Sequence, residues 1–263
     1  MTENAFEAIA SGSVGAAGSG AAPASDPNKP TLLFLCDHAA NALPPGGLGL
    51  DPALLSTHIA YDIGAASVTR ALAGAYGAPA VLGRWSRLLI DLNRGADDPT
   101  LVMKLSDGSI IPGNRDADAE EVARRIAVFH APYHAAIDAE LDRIGPAAVL
   151  VSMHSFTPAW KGHPRKWEVG VLYDRDMRLA RPLMARLAEA GFIVGDNEPY
   201  SGALEGDTLW RHGTMRGLPH VLVEVRQDLV GNDERAQAFG LRLKPILDAA
   251  LGDMALDGEA AGR

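Results

Sequence analysis

TLLFLCDHAAN, residues 31–41, is the stretch whose reading decides the fold. Leu32 to Cys36 form a short apolar run that stops abruptly at Asp37-His38. Such a run, bounded by turn residues, reads as a buried and parallel strand. Open α/β sheets bind ligands beyond the carboxyl ends of their strands, which is where this polar pair falls. The pattern recurs twice. Ala147–Ser155 (AAVLVSMHS) runs into His154, and His220–Asp228 (HVLVEVRQD) carries Glu224, Arg226 and Asp228. Three strands that deliver His, His and Glu to one sheet edge point to a metal site.

With 263 residues, 47% hydrophobic and 22% charged, the chain has enough apolar material for one large core. A formal net charge of −9 argues against nucleic acid or an anionic membrane as partner. The single cysteine, Cys36, excludes an intrachain disulfide, and its apolar surroundings read as packing rather than as a nucleophile. No run reaches the ~18 apolar residues of a membrane span, and the first residues lack the pattern of a secretory leader. The expected setting is the cytoplasm.

Working outward, residues 1–29 are rich in Ala, Gly and Ser without apolar periodicity, and read as a flexible tail. Pro52–Tyr61 reads as a short helix, and Asp62 opens the next one. Asp62 has two readings, as an N-cap and as a carboxylate facing the site. Pro79–Leu82 and Leu88–Asn93 read as strands. Arg94, just past the second, is a candidate anchor for a substrate carboxylate or a member of a surface ion pair. Residues 95–118 read as a long loop. Residues 119–144 form the strongest helical pattern, with Val122, Ile126, Phe129, Tyr133, Ile137 and Leu141 at spacings of three and four. Pro132 inside it predicts a kink or break near His130.

His130 and His134 share a helix face, where they line the core or bind zinc, without the Glu of the His-Glu-x-x-His pattern. Residues 157–167 make a basic, aromatic loop that suits a small anionic substrate. A strand at Val169–Tyr173, a helix at Met177–Ala190, a strand at Phe192–Gly195 and a closing helix at Arg235–Leu251 follow, with residues 253–263 read as a frayed end. The alternation predicts one α/β domain over residues 30–252, with a mixed, mostly parallel sheet flanked by helices.

Zinc takes His nitrogen and carboxylate oxygen, and a catalytic site keeps a position for water. His38 and His154 are the strand-end candidates for ligands. Glu224 interrupts the apolar run VLVEV, and a carboxylate there is costly to bury unless it is paired or functional.

The segments CDHAAN, HIAYDIGA, RWSRLLIDLNR, FHAPYH, SMHS, GDNEPYSG, RHGTMRGLPH and VEVRQDL together resemble the N-formylglutamate amidohydrolase family, in order and spacing, from Thr31 to Leu251. That resemblance implies a zinc-carboxypeptidase-like fold and metal-dependent cleavage of N-formyl-L-glutamate to formate and L-glutamate. It implies Zn2+, or another divalent metal, with Glu224 as general base and Asn93-Arg94 holding the substrate carboxylate. The His-x-x-Glu of zinc carboxypeptidases reads His38-Ala-Ala-Asn41 here. Asp62 is therefore expected as the third ligand beside His38 and His154, with Asn41 and Asp37 as alternatives. A second cation for the glutamate side chain is sought among Arg211, Arg226 and Arg87, and His212 is a candidate oxyanion stabiliser. The competing readings are a binding protein for an acidic metabolite on the same scaffold, favoured by Asn41, and a cysteine hydrolase through Cys36.

Overall fold

The structure is a computed structural model that describes the backbone of residues 4–11 and 30–261, with side chains as far as 254. Seven strands form the main sheet: β1 (Phe6–Ile9), β2 (Thr31–Cys36), β3 (Ala80–Gly83), β4 (Ala148–Phe156), β5 (Val169–Leu172), β6 (Val194–Asp196) and β7 (His220–Arg226). Their spatial order is β1-β3-β2-β4-β7-β5-β6. The four central strands β3, β2, β4 and β7 run parallel, β5 pairs antiparallel with β7, and β6 runs parallel to β5. The sheet is therefore mixed and mostly parallel, as its sequence pattern predicts.

Burial on both faces explains why the central strands read as unbroken apolar runs. On one face Leu32, Phe34 and Cys36 join Val149, Val151, Met153, Val221, Val223 and Val225 under helices α1 (Ala65–Tyr76), α4 (Ala180–Glu189) and α6 (Asp233–Ala261). On the other face Leu33, Leu35, Leu150 and Leu222 pack against α3 (Ala131–Ile144) and the irregular segment from Trp85 to Leu101. Since side chains alternate along a strand, His154 and Glu224 share this second face with Leu150 and Leu222. Cys36 lies on the first, fully buried, and burial pushes its thiol well above the usual range. That disposes of Cys36 as a nucleophile.

Several elements differ from expectation. Phe6–Ile9, inside the stretch read as a flexible tail, is an edge strand antiparallel to β3; residues 12–29 lie outside the described residues. Leu88–Asn93 is not a strand. Its apolar residues fill the core from successive turns, with Leu89 N–H donating to Ser86 O and Asp91 N–H to Leu101 O. Pro52–Ser56 is a single 3₁₀ turn. The helix read at 119–144 is interrupted as Pro132 predicts. Between α2 (Ala119–Arg125) and α3, residues Ile126–His130 widen into a π turn in which Ala131 N–H reaches Ile126 O. The closing helix continues past the expected end to Ala261, while 262–263 lie outside the described residues. No helix among the described residues is long and apolar enough to cross a membrane.

Candidate active site

The carboxyl ends of β2, β4 and β7 meet on the α3 face of the sheet. His38 sits two residues past the end of β2. His154 lies near the end of β4, and the register sets it directly opposite Glu224 of β7. Asp62 arrives from the turn before α1, where its backbone N–H donates to His38 O. Gly64 makes that turn: it caps the helix at φ +82°, and a Cβ there would lie 2.3 Å from Val230 O. Only glycine meets both demands without strain. Asp62 is not the helix cap; its side chain faces the two histidines.

His38, Asp62 and His154 are all buried, and each offers one ligand atom within 4.8 Å of the others. Asp62 Oδ2 lies 2.8 Å from His154 Nδ1 and 3.4 Å from His38 Nδ1. The opposite ring nitrogens are taken by two further carboxylates. His38 Nε2 donates to Asp91 Oδ1 at 2.6 Å, and His154 Nε2 to Asp37 Oδ2 at 2.9 Å. With each Nε2 so engaged, each Nδ1 faces Asp62: His154 Nδ1 donates to Asp62 Oδ2 at 2.8 Å, and an ion shared with Asp62 would take the place of that hydrogen. Asp37 is held further by Tyr133 Oη at 2.9 Å and Thr208 Oγ1 at 2.6 Å, which leaves it a buttress rather than a free ligand. Asn41 faces elsewhere, its Nδ2 donating to Leu55 O at 2.6 Å. The carboxylate missing at position 41 is thus supplied to the group by Asp62.

The donor set suits a divalent metal. His38 Nδ1 is buried without a hydrogen-bond partner, and so is Glu224 Oε2; leaving such atoms unsatisfied is costly, and a cation among them removes the cost. Two imidazoles and one carboxylate, each imidazole backed by a second carboxylate, is a ligand chemistry that zinc accepts. Burial opposes ionisation of Asp37, Asp62 and Asp91, yet the neighbouring histidines hold all three carboxyls below the usual range. Burial likewise opposes charge on His154, but Asp37 and Asp62 raise its pKa well above the ordinary value. Glu224 behaves oppositely: burial, with Asp62 adding to it, pushes its carboxyl up to about 7.

A cavity of about 250 Å³ opens onto this group, and Asn93, Arg94, Arg87, Trp160, Tyr200 and Asp207 are among its lining. Arg87 is engaged, its Nη2 donating to Asp91 Oδ2 at 3.0 Å and its Nη1 3.6 Å from Asp62 Oδ1. Arg94 donates to Asn93 O and Thr100 Oγ1 and pairs with Asp98 at 3.9 Å. Asn93 Oδ1 accepts from Thr208 N–H at 3.1 Å.

Three residues singled out in the sequence do not line the cavity. Arg226 donates to Asp228 and to the backbone carbonyls of residues 165–167. Arg211 is half exposed, 3.9 Å from Asp138. His212 is fully buried between His134 and Asp138. These corrections share one cause: Arg226 and Arg211 point away from the cavity, and α5 (Thr208–His212) turns its last residue toward α3. Conversely, Asp91 was overlooked. The reasoning that singled out Glu224, a carboxylate inside an apolar run, applies equally to Asp91 in LLIDLN.

A sequence model described as FGase, N-formylglutamate amidohydrolase, matches residues 31–230. The chain belongs to that family. Its membership makes it a hydrolase acting on amide bonds. The gene product Atu2144 from Agrobacterium tumefaciens is similar in structure over 96% of this chain and 97% of its own, at TM-score 0.83 and 32% identity. An N-formylglutamate amidohydrolase from Ralstonia eutropha JMP134 shares the fold at TM-score 0.62 and 20% identity, with 94% of this chain and 99% of that one covered. No curated protein is similar enough to this chain to count as a match.

Proposed function

We propose that the protein hydrolyses N-formyl-L-glutamate to formate and L-glutamate in a metal-dependent reaction. The observation that carries the reading is Glu224, whose buried Oε2 has no partner and whose side chain lines the same cavity as the grouped His38, Asp62 and His154. These three residues would hold the ion, zinc by the nature of the donors. When bound, such an ion polarises the acyl carbonyl and makes water more acidic.

Glu224 acts as the base. Its carboxylate takes a proton from the attacking water, whose oxygen bonds to the formyl carbon. The same proton is then given to the amide nitrogen as the carbon–nitrogen bond breaks, and the proton left on the attacking oxygen passes to the departing amine, which gives formate and the ammonium form of L-glutamate. Burial raises the Glu224 carboxyl above the usual range, which suits a group that both takes and returns a proton. Arg94, whose ion-pair partner Asp98 stands off at 3.9 Å, and Asn93 are suited to hold a substrate carboxylate. Arg87 is already committed to Asp62 and Asp91, and His212, Arg211 and Arg226 take no part in this reading. The family name supports the formyl group and the glutamate.

The test is a formate-release assay on N-formyl-L-glutamate with and without chelator, repeated on Glu224→Gln. Turnover should be chelator-sensitive and should drop by ~10²–10⁴-fold in the variant, the usual loss for a general base. Unchanged turnover in Glu224→Gln would sink the mechanism.

A further inference from the structure

His130, His134 and His212 form a second buried histidine cluster, outside the group of His38, Asp62 and His154. His130 Nε2 lies 3.1 Å from His134 Nε2, and His134 Nδ1 lies 2.8 Å from His212 Nε2. His212 Nδ1 lies 3.1 Å from Asp138 Oδ1. The 2.8 Å spacing leaves no room for a metal between the rings, since zinc needs ~2.0–2.1 Å to each nitrogen. The cluster reaches the backbone of the segment that carries Asn93 and Arg94 at two points: His130 Nε2 is 2.9 Å from Arg94 O, and His134 Nε2 is 3.1 Å from Leu92 O.

Counting protons resolves the arrangement. The Arg94 carbonyl is an acceptor, so His130 Nε2 carries a hydrogen. The Asp138 carboxylate is also an acceptor, so His212 Nδ1 carries one. In a neutral ring His212 Nε2 is then bare and accepts from His134 Nδ1. His134 Nε2 is bare in turn and accepts the second branch of the His130 hydrogen. Three neutral rings, with three hydrogens, fill every ring-to-ring contact. Leu92 O then faces the bare His134 Nε2 at 3.1 Å, the longer contact, and has only a minor share of the Thr208 hydroxyl at 3.2 Å, whose hydrogen goes to Asp37 Oδ1 at 2.6 Å. Were His134 to donate to Leu92 O instead, two lone pairs would face each other at 2.8 Å unless a further proton entered. Burial opposes that proton, holding His134 down to about 2 and His212 to about 4; Arg211 and Arg216 add to this, while Asp138, Asp91 and Asp37 oppose it.

We infer that His130, His134 and His212 form an uncharged, one-way hydrogen-bond chain ending on Asp138, which positions the Asp91–Arg94 segment for the reaction proposed above. His130 fixes the carbonyl of Arg94. His212 ties α5 to α3, and the first turn of α5 holds Asn93 through Thr208 N–H and Asp37 through Thr208 Oγ1. The three histidines touch no substrate; they are positioning residues for Asn93, Arg94 and the Asp37 buttress. The inference rests on that reading only for its consequence in catalysis, not for the direction of the chain.

The direction is read by ¹⁵N NMR of the imidazoles in the full-length protein at pH 7. His134 and His212 should show a protonated Nδ1 and a bare Nε2, and His130 the reverse. A protonated His134 Nε2, or an imidazolium at His134 or His212, would overturn the chain. The consequence is read kinetically with His212→Leu, which removes the acceptor for His134, and His212→Gln, whose amide restores one. His212→Leu should raise KM for N-formyl-L-glutamate by on the order of 10- to 100-fold. The kcat should fall less, the zinc content should be unchanged, and His212→Gln should recover most of the loss. An unchanged KM in His212→Leu overturns the positioning role. Wild-type protein that releases no formate would instead refute the assigned substrate, and the tautomers would still decide the chain.

Discussion

Asp91 does not line the cavity, yet it accepts from Asn93 N–H at 3.0 Å and sets how His38 presents its free nitrogen. Its Oδ1 accepts from His38 Nε2 at 2.6 Å and its Oδ2 from the partly buried Arg87 at 3.0 Å, with Asp91 itself fully buried. Replacing it by Asn keeps the shape but removes the charge that makes the imidazole a better donor. Asp91→Asn should weaken zinc binding by roughly 10–100-fold, the usual cost of losing such a backing carboxylate, and competition with a chromogenic chelator measures it. Cys36 makes the converse case. It packs among Leu32, Phe34 and the residues of α1, on the face of the sheet away from Glu224. Cys36→Ala should leave kcat/KM for N-formyl-L-glutamate unchanged while costing some stability through the lost sulfur; a loss of turnover at full folding would reopen the thiol's role.

The turn from Tyr61 to Ala65 decides whether Asp62 can join two strand-end histidines. A methyl at position 64 would meet Val230 O and its side chain within 2.8 Å, at a φ that L-residues rarely adopt. Gly64→Ala should therefore cost on the order of 1–3 kcal/mol, seen as a lower urea midpoint with an unchanged slope. It should also weaken metal binding, because the strain is relieved by moving Asp62. The elements most legible in the sequence were those whose physics is local. Apolar runs ending in polar residues marked β2, β4 and β7, and the spacing of Val122 to Leu141 with Pro132 marked a helix with a break. Leu88–Asn93 was misread because an apolar run records burial, and burial is equally compatible with turns that fill a core. Phe6–Ile9 was missed because an edge strand needs little apolar sequence when its partner β3 already exists. The cation candidates Arg211 and Arg226 lie outside the cavity lining for a related reason. Which way a long side chain turns on a short helix or at a strand end depends on packing by distant segments, here Asp138 on α3 and the carbonyls of residues 165–167.

At the scale of the whole molecule, two buried histidine groups give the protein opposite responses to its surroundings. The chain of neutral rings makes it sensitive to acid. His134 titrates near 2 when folded but at its ordinary 6.5 when unfolded. Below pH 6.5 the unfolded state takes up a proton that the folded state refuses, so stability is present above 6.5 and is lost as pH falls. The slope is about 1.4 kcal/mol per pH unit for one such group. Urea titrations at pH 7, 6 and 5 should show wild type losing stability relative to His134→Gln at about that rate; parallel curves would mean His134 is protonated when folded. On the proposed reading, the grouped His38, Asp62 and His154 should make the protein sensitive to metal. They come from the end of β2, the approach to α1 and the end of β4, segments far apart in the chain. A metal bound there joins all three and finds no equivalent site once the chain unfolds. Free zinc at a hundred times its dissociation constant should then stabilise the fold by about 2.7 kcal/mol, raising the melting temperature in calorimetry. Excess chelator should reverse the rise, and His38→Ala should abolish it. A melting temperature indifferent to zinc and chelator alike would show that these three donors, however well placed, hold no ion that matters to the fold.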